Sequence, residues 1–237
     1  MTYQGPNPET IRSMFQKVAP AYDRANNVLS AGIHHLWRRK LVKLAQVEKG
    51  MTVLDCATGT GDLAIEFKKA VGPEGHVIGT DFCADMLTTA PHKAQSQNLQ
   101  IDYQTADVMN LPFESATFDR VSISFGIRNV QDPQKAIHEM ARVTKPGGQV
   151  LILEFGQMKT PLVRDLYGYY SQKVLPVLGG WVSGQKEAYQ YLQKSSAQFP
   201  SGEHFLKWMD ESGQFQQTRF IPVSFGIAYI YQGIVTV

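Results

Sequence analysis

The chain has 237 residues, 43% hydrophobic and 19% charged, enough for one sizeable core and within the single-domain range of α/β folds. Its net charge of +2 comes from both signs spread along the sequence, so no basic stripe points to nucleic acid and none is expected as a partner. The first residues lack the order of a signal peptide, and no run reaches the roughly eighteen apolar residues of a membrane span; a cytoplasmic, soluble protein is expected.

Thr10 to Ala19 places Ile11, Met14, Phe15 and Val18 on one helical face, and Pro20 stops the helix. Tyr22 to Gly32 mixes aromatic and polar side chains without a period, which predicts a loop that lines a site. His34-His35-Leu36-Trp37 then opens a basic helix through Arg38, Arg39 and Lys40. Thr52 to Cys56 is the apolar run of a buried parallel strand. It leads into Ala57-Thr58-Gly59-Thr60-Gly61-Asp62, after which Leu63, Ala64, Ile65 and Phe67 continue at helical spacing. Strand, glycine loop and helix in this order are how a βαβ sheet holds its cofactor, the glycines letting the ligand press against backbone.

Gly59-x-Gly61-x-x-Ala64 also fits a loose dinucleotide pattern, and Asp81 ends the next apolar run, where a ribose-binding acid is expected. Charge separates the candidate cofactors. NAD brings a pyrophosphate that wants bare N–H groups, and the carboxylates of Asp55 and Asp62 flanking the loop would repel it. The same carboxylates favour the sulfonium and ammonium of S-adenosylmethionine, so the loop reads as a methyl-donor site with Asp81 on the ribose hydroxyls. Without any ligand, Asp62 would still favour its helix N-terminus.

Strand and helix continue to alternate. His76 to Asp81 is the second strand, Asp85 to Ala94 a helix, Ile101 to Thr105 the third strand and Phe118 to Ser124 the fourth. Pro133 to Val143 is helical, Lys145-Pro146-Gly147-Gly148 a sharp turn, and Gln149 to Phe155 the fifth strand. Such units make a doubly wound, Rossmann-like sheet whose ligand site lies at the carboxyl strand ends. Those ends hold Asp55, Asp81, Asp107, Ser124 and Glu154. A strand-end acid can equally cap a helix; as a ligand group, Asp107 with the Val108 backbone is placed for the adenine amine. Cys56 and Cys83 have no metal or CxxC spacing and read as small buried hydrophobes, and no metal site is expected. From Pro161 to Trp181 the chain is apolar and aromatic at near-helical spacing, bent at Pro176, as a cover for a pocket or a partner. A helix from Glu203 to Ser212 precedes Gln214 to Val223 and Ser224 to Val237, an antiparallel hairpin that brings the sheet to seven strands. The expected layout is an N-terminal helical cap over 1–48, a cofactor-binding core over 49–156, a substrate-covering helical segment over 157–212 and a hairpin over 213–237.

Four stretches resemble the ubiquinone/menaquinone biosynthesis C-methyltransferases, a family of class I methyltransferases. They are Tyr22-Asp23-x-x-Asn26-x-x-Leu29-Ser30-x-Gly32-Ile33-His34-x-x-Trp37, Ser124-Phe125-Gly126-Ile127-Arg128-Asn129-Val130, Arg142-Val143-x-Lys145-Pro146-Gly147-Gly148 through Glu154-Phe155, and Gly184-x-Lys186-x-Ala188-Tyr189-x-Tyr191-Leu192. Ala25 stands where the family usually has methionine and Gly156 where it usually has serine. The resemblance implies methylation of a ring carbon in a prenylated naphthoquinol or benzoquinol, with demethylmenaquinol to menaquinol foremost. By motif position it implies donor contacts at Thr60, Asp81, Asp107 with Val108, and Ser124. It also suits a cytoplasmic enzyme resting on the inner face of the membrane.

A quinol hydroxyl, with a pKa near about 10, must lose its proton before the ring carbon can attack the methyl group. Arg128 is expected to stabilise the quinolate and Asn129 to orient the hydroxyl, with Tyr22 and His34 as further ring-site candidates; His34 could equally be a packing residue. The aromatic segment suits a prenyl tail, and a homodimer interface would have the same composition. A methyltransferase of a sterol, polyketide or other small phenol would share the sheet and loop, as would a non-catalytic donor-binding scaffold, although the intact loop and Arg128-Asn129 argue against the scaffold.

Overall fold

The computed structural model describes residues 5–158 and 184–237. The aromatic stretch from Pro161 to Trp181 lies outside them. The strands are β1 (Thr52–Cys56), β2 (His76–Asp81), β3 (Asp102–Thr105), β4 (Phe118–Ser124), β5 (Thr144–Phe155), β6 (Phe215–Val223) and β7 (Ala228–Val235). They form a seven-stranded sheet in the order β3-β2-β1-β4-β5-β7-β6, with β1 to β5 parallel and β7 antiparallel to both neighbours. The chain order reverses between β1 and β4, so the ligand crevice of such a sheet opens at their carboxyl ends.

β1 is covered on both faces, which is why Val53, Leu54 and Cys56 are all apolar and buried. One face packs Leu54, Ile123, Phe118, Ile137 and Met140 under α7 (Pro133–Val143). The other packs Val53, Leu63, Phe67 and Leu151 against Trp37 and Leu41 of α3 (Ile33–Leu44). Two helices precede α3. In α1 (Pro8–Val18), the Asn7 side chain accepts from the Glu9 and Thr10 amides and Pro8 takes the first turn. A 3-10 turn over Ala19–Ala21 then leads into α2 (Tyr22–Ser30).

The expected loop over Tyr22 to Gly32 is therefore a helix. Its polar residues have no core-facing period because several of them face the crevice, while Ala25 alone is fully buried, packed with Tyr189, Leu29 and Leu192. Ala31 at φ 47 and Gly32 at φ 77 end it in left-handed backbone, the Gly32 amide bonding the Asn27 carbonyl at 3.1 Å. The single helix expected over Asp85 to Ala94 is two short ones, α5 (Ala84–Leu87) and α6 (Ala90–Gln95). Pro91 cannot donate to a preceding turn, and Thr88 Oγ1 instead bonds the Asp85 carbonyl at 2.8 Å. The turn at Lys145–Gly148 exists as a bulge within β5: Phe118 pairs with Thr144, and the register resumes at Arg120 with Gln149. α4 (Asp62–Val71) follows the glycine loop, and α8 (Lys186–Gln198) and α9 (Glu203–Glu211) precede the hairpin. Both cysteines are buried and unpaired.

Candidate active site

The glycine loop leaves β1 in a tight turn, with Thr58 N on the Thr80 carbonyl at 2.9 Å and Gly61 N on the Thr58 carbonyl at 3.0 Å. Gly61 sits at φ 84, and a Cβ there would lie 2.6 Å from the Tyr103 hydroxyl, so both backbone and space demand glycine. Asp81, at the end of β2, braces the loop by accepting from Gly59 N and Cys83 N, each at 2.9 Å. Asp55 accepts from Thr58 Oγ1 and Ser122 Oγ, both at 2.7 Å. Burial pushes the Asp55 and Asp81 carboxyls up to about 6, against the hydrogen bonds that favour their ionised forms.

Asp62 is placed differently from Asp55. It pairs with Arg38 NH1 at 2.8 Å and with Lys93 Nζ. Burial alone would raise its pKa, but the two cations outweigh it and hold the carboxyl below the ordinary value. Its charge is thus already answered, and of the two acids flanking the loop only Asp55 has no cation in hydrogen-bond contact among the described residues. Lys93 also holds Asp23 Oδ2 at 2.6 Å, and Asp23 Oδ1 accepts from Thr60 Oγ1 at 2.5 Å, tying α2 to the loop. His34, His35 and Asp62 bring possible ligand atoms within 4.8 Å of one another, but the two cations on Asp62 make this a charge network rather than a metal site.

Two cavities meet beside this loop. The smaller, about 100 Å³, is walled by Asp81, Asp107, Val108, Ser124 and Asn129 and roofed by Ile11, Arg12 and Phe15 of α1. The larger, about 630 Å³, is walled by Tyr22, His34, Trp37, Arg38, Phe125, Arg128, Phe155, Tyr189 and Tyr191. Phe15, Tyr22 and Phe125 belong to both. The structure thus brings Asp81, Asp107, Val108 and Ser124 together in one wall. Asp55, Gly59, Thr60, Gly61 and Asp62 lie outside the walls of both cavities, although Ala57 of the same loop reaches the smaller one. Asp107 Oδ1 accepts from Met109 N at 2.9 Å, which holds the turn that carries Val108. Ser124 Oγ is buried without a hydrogen-bond partner among the described residues. A buried hydroxyl in that state is costly unless a ligand completes it, so this crevice offers Ser124 with the Asp81 and Asp107 carboxylates to a polar ligand.

Arg128 lines the larger cavity on a 3-10 turn, Ile127–Asn129. Its NH1 donates to the Phe125 carbonyl at 2.5 Å and to Glu154 Oε1 at 2.8 Å, and the guanidinium lies 5.4 Å from the Phe155 ring centroid. Glu154 is 1% exposed; burial raises its pKa and Arg128 opposes that rise. The cation expected to face a quinolate is therefore already partly neutralised from behind. Asn129 accepts from the Tyr191 hydroxyl at 3.0 Å and walls the smaller cavity, not the larger. Burial raises the Tyr22 pKa despite Arg38, so its phenol stays protonated. His34 Nδ1 meets Ser30 Oγ at 2.5 Å. Burial and the neighbouring Arg38 and His35 push its pKa down to about 3, which makes it a neutral and very weak base.

Sequence reasoning missed Arg38, Lys93 and Tyr103 as members of this site. Arg38 looked like one of several cations on a basic helix, and Lys93 sits on a short helix without a pattern. The oxygen-rich strand ends were the available signal; their counter-charges arrive from elsewhere in the chain.

The model of the ubiE/COQ5 methyltransferase family matches residues 4–235. The chain is 60% identical over 235 residues to the ubiquinone/menaquinone biosynthesis C-methyltransferase UbiE of Bdellovibrio bacteriovorus, covering 99% of this chain and 100% of that one. It is 40% identical over 228 residues to a demethylmenaquinone methyltransferase of Staphylococcus aureus, covering 96% and 93%. Among solved structures, a SAM-dependent methyltransferase of Thermotoga maritima superposes with a TM-score of 0.65 at 18% identity, covering 94% and 98% of the two chains, a likeness of fold.

Proposed function

Since the chain belongs to the ubiE/COQ5 methyltransferase family, we propose that it transfers a methyl group from S-adenosylmethionine to a ring carbon of a prenylated quinol, demethylmenaquinol foremost. The observation that carries this reading is a pair of unlike cavities sharing one wall, a small one edged by Asp81, Asp107 and Ser124 and an apolar one of about 630 Å³. The first carries the carboxylates and hydroxyl that an adenosine would bind. The second is large enough for a ring and the first isoprene units of a tail, each buried methylene contributing about 0.8 kcal/mol.

When bound, S-adenosylmethionine supplies a methyl group on a positively charged sulfur. Asp81 would accept from the ribose hydroxyls, Ser124 and Asp107 with the Val108 amide would hold the adenine side, and the amino-acid end would lie toward Asp55 and the glycine loop, whose Gly59 and Gly61 amides are already held by Asp81 and the Thr58 carbonyl. Arg128 and the protonated Tyr22 face the ring oxygen from the larger cavity and stabilise its oxyanion, while Asn129, which walls the smaller cavity, acts on the ring only through Tyr191, whose hydroxyl it holds. Arg128 cannot take the proton and His34 is too weak a base. The proton therefore leaves to water, with the guanidinium lowering the cost of the anion.

We also infer that the enzyme rests on an anionic lipid surface. Leu36 (59% exposed), Ile33 and the 77% exposed Phe225 stand out from one face, since the Trp37 indole bonds Ser224 at 2.9 Å and brings α3 beside the Ser224–Gly226 turn. Ile33 and Val28 are exposed and also line the larger cavity, so that cavity opens at this face, with the exposed Lys40 and Lys43 further along α3. This pattern of apolar tips beside lysines supports lipid rather than pairing of two copies. No helix among the described residues is long and apolar enough to cross a membrane.

The test is to incubate the purified protein with S-adenosylmethionine and prenylated or tail-less demethylnaphthoquinol, and to follow product mass. A product heavier by one methyl on the ring, formed faster with the prenylated substrate, is expected. Preference for the tail-less ring would indicate a methyltransferase of small phenols, and no product with either would leave a scaffold.

A further inference from the structure

The acids of the donor crevice suit the ammonium and ribose of S-adenosylmethionine, but the amino-acid end of that molecule also carries a carboxylate. Beside Asp55 and Asp81, a carboxylate would be repelled unless a cation accompanied it. The loop has one in position. Arg38 comes from α3 with its side chain only 9% exposed, and NH1 is committed to Asp62. Its Nε is buried and has no hydrogen-bond partner among the described residues. Arg38 lines the larger cavity next to Trp37 and Phe125, and its charge reaches Asp55 at the end of β1. Asp62 cannot absorb that charge alone, because it also serves Lys93. A buried guanidinium N–H without an acceptor among the described residues, held against the glycine loop by Asp62 and set in the wall of the larger cavity, is a group waiting for an anion.

We propose that Arg38 binds the α-carboxylate of the methyl donor through its Nε edge, with NH1 on Asp62 fixing the orientation of the fork. This assignment rests on the reading of the crevice as a S-adenosylmethionine site. It makes the first residue after Trp37 a donor contact supplied by the N-terminal helices, opposite the contacts supplied by the sheet. The alternative is that Arg38 only clamps α3 to Asp62.

Calorimetric titration of the full chain with S-adenosylhomocysteine, its analogue 5′-methylthioadenosine, which lacks the amino-acid end, S-adenosylmethionine and decarboxylated S-adenosylmethionine separates these roles. Arg38→Met should weaken S-adenosylhomocysteine about tenfold or more, as expected for loss of a charge-assisted hydrogen bond, and leave 5′-methylthioadenosine within about twofold. The unmutated protein should bind S-adenosylmethionine more tightly than its decarboxylated form, and Arg38→Met should erase that preference. Arg38→Lys should recover part of the loss, since it keeps the charge without the fork. Equal weakening of all four ligands by Arg38→Met would overturn the proposal in favour of the clamp. Should Arg38→Met fail to fold, the unmutated protein still decides: equal affinity for S-adenosylmethionine and its decarboxylated form would overturn it. If the unmutated protein bound none of the four, the reading of the crevice itself would fall, and the proposal with it.

Discussion

Asp55 and Asp81 each carry a carboxyl raised from an ordinary 3.8 to about 6 by burial. A raised folded-state pKa means that the folded protein binds these protons more tightly than the unfolded chain. Their ionisation therefore costs stability progressively as pH rises from about 4 to about 6, and the cost is complete above that window. A donor that brings an ammonium and ribose hydroxyls favours the ionised carboxylates. Its affinity should rise with pH through about 6, and its stabilising effect on Tm should be larger at pH 7.5 than at pH 5. Thermal melts with and without S-adenosylhomocysteine across that range check this; a donor effect independent of pH would remove these acids from the donor site. Arg128→Met makes a separate test at the larger cavity. It should leave donor affinity unchanged and lower kcat by at least about a hundredfold, with partial recovery at high pH as hydroxide removes the quinol proton. Loss of donor affinity with an intact single-turnover rate would move Arg128 to the donor site.

At the scale of elements, the ties between α2 and the glycine loop and between β5 and β7 carry the next expectations. Asp23→Ala removes the anchor of Thr60 and one partner of Lys93. Asp23 is more than one-third exposed, so the loss in global stability should be under about 1 kcal/mol. Local opening should change more, and amide exchange of α2 and of the loop should quicken while the central strands stay protected. Gly156 stands beside the ring of Tyr229, where a Cβ would lie 2.3 Å from Cδ2. Gly156→Ser, toward the usual family residue, should therefore destabilise by about 1–3 kcal/mol in denaturant titration unless Tyr229 is also made smaller. The strands were legible because parallel strands buried on both faces, such as Val53-Leu54 and Val150 to Leu153, can only be apolar. The α2 helix was not legible, because Asp23 and Asn27 spend their side chains on Thr60 and His35 rather than marking a helix face. Arg38 and Lys93 were hidden for a related reason: a cation is defined by its partner, and Asp62 lies 24 positions after Arg38.

For the whole molecule, the wall shared by the two cavities sets a rule for how their contents affect each other. Phe15 and Tyr22 come from the N-terminal helices and Phe125 from the end of β4, and each touches both spaces. Whatever settles these three side chains on one side also shapes the other, so ligands in the two cavities should be thermodynamically linked. On the proposed reading, donor first and acceptor second is the expected order, because the smaller cavity is roofed by α1 and its occupant would fix the wall against which a ring must lie. S-adenosylhomocysteine should tighten the binding of an unreactive prenylated quinone severalfold, and by reciprocity the quinone should tighten S-adenosylhomocysteine by the same factor; independent affinities would refute the linkage. After transfer the same cooperativity works against release. The spent donor and the methylated ring then hold one another in place, so turnover should be limited by product departure and relieved by a lipid phase that draws the ring away.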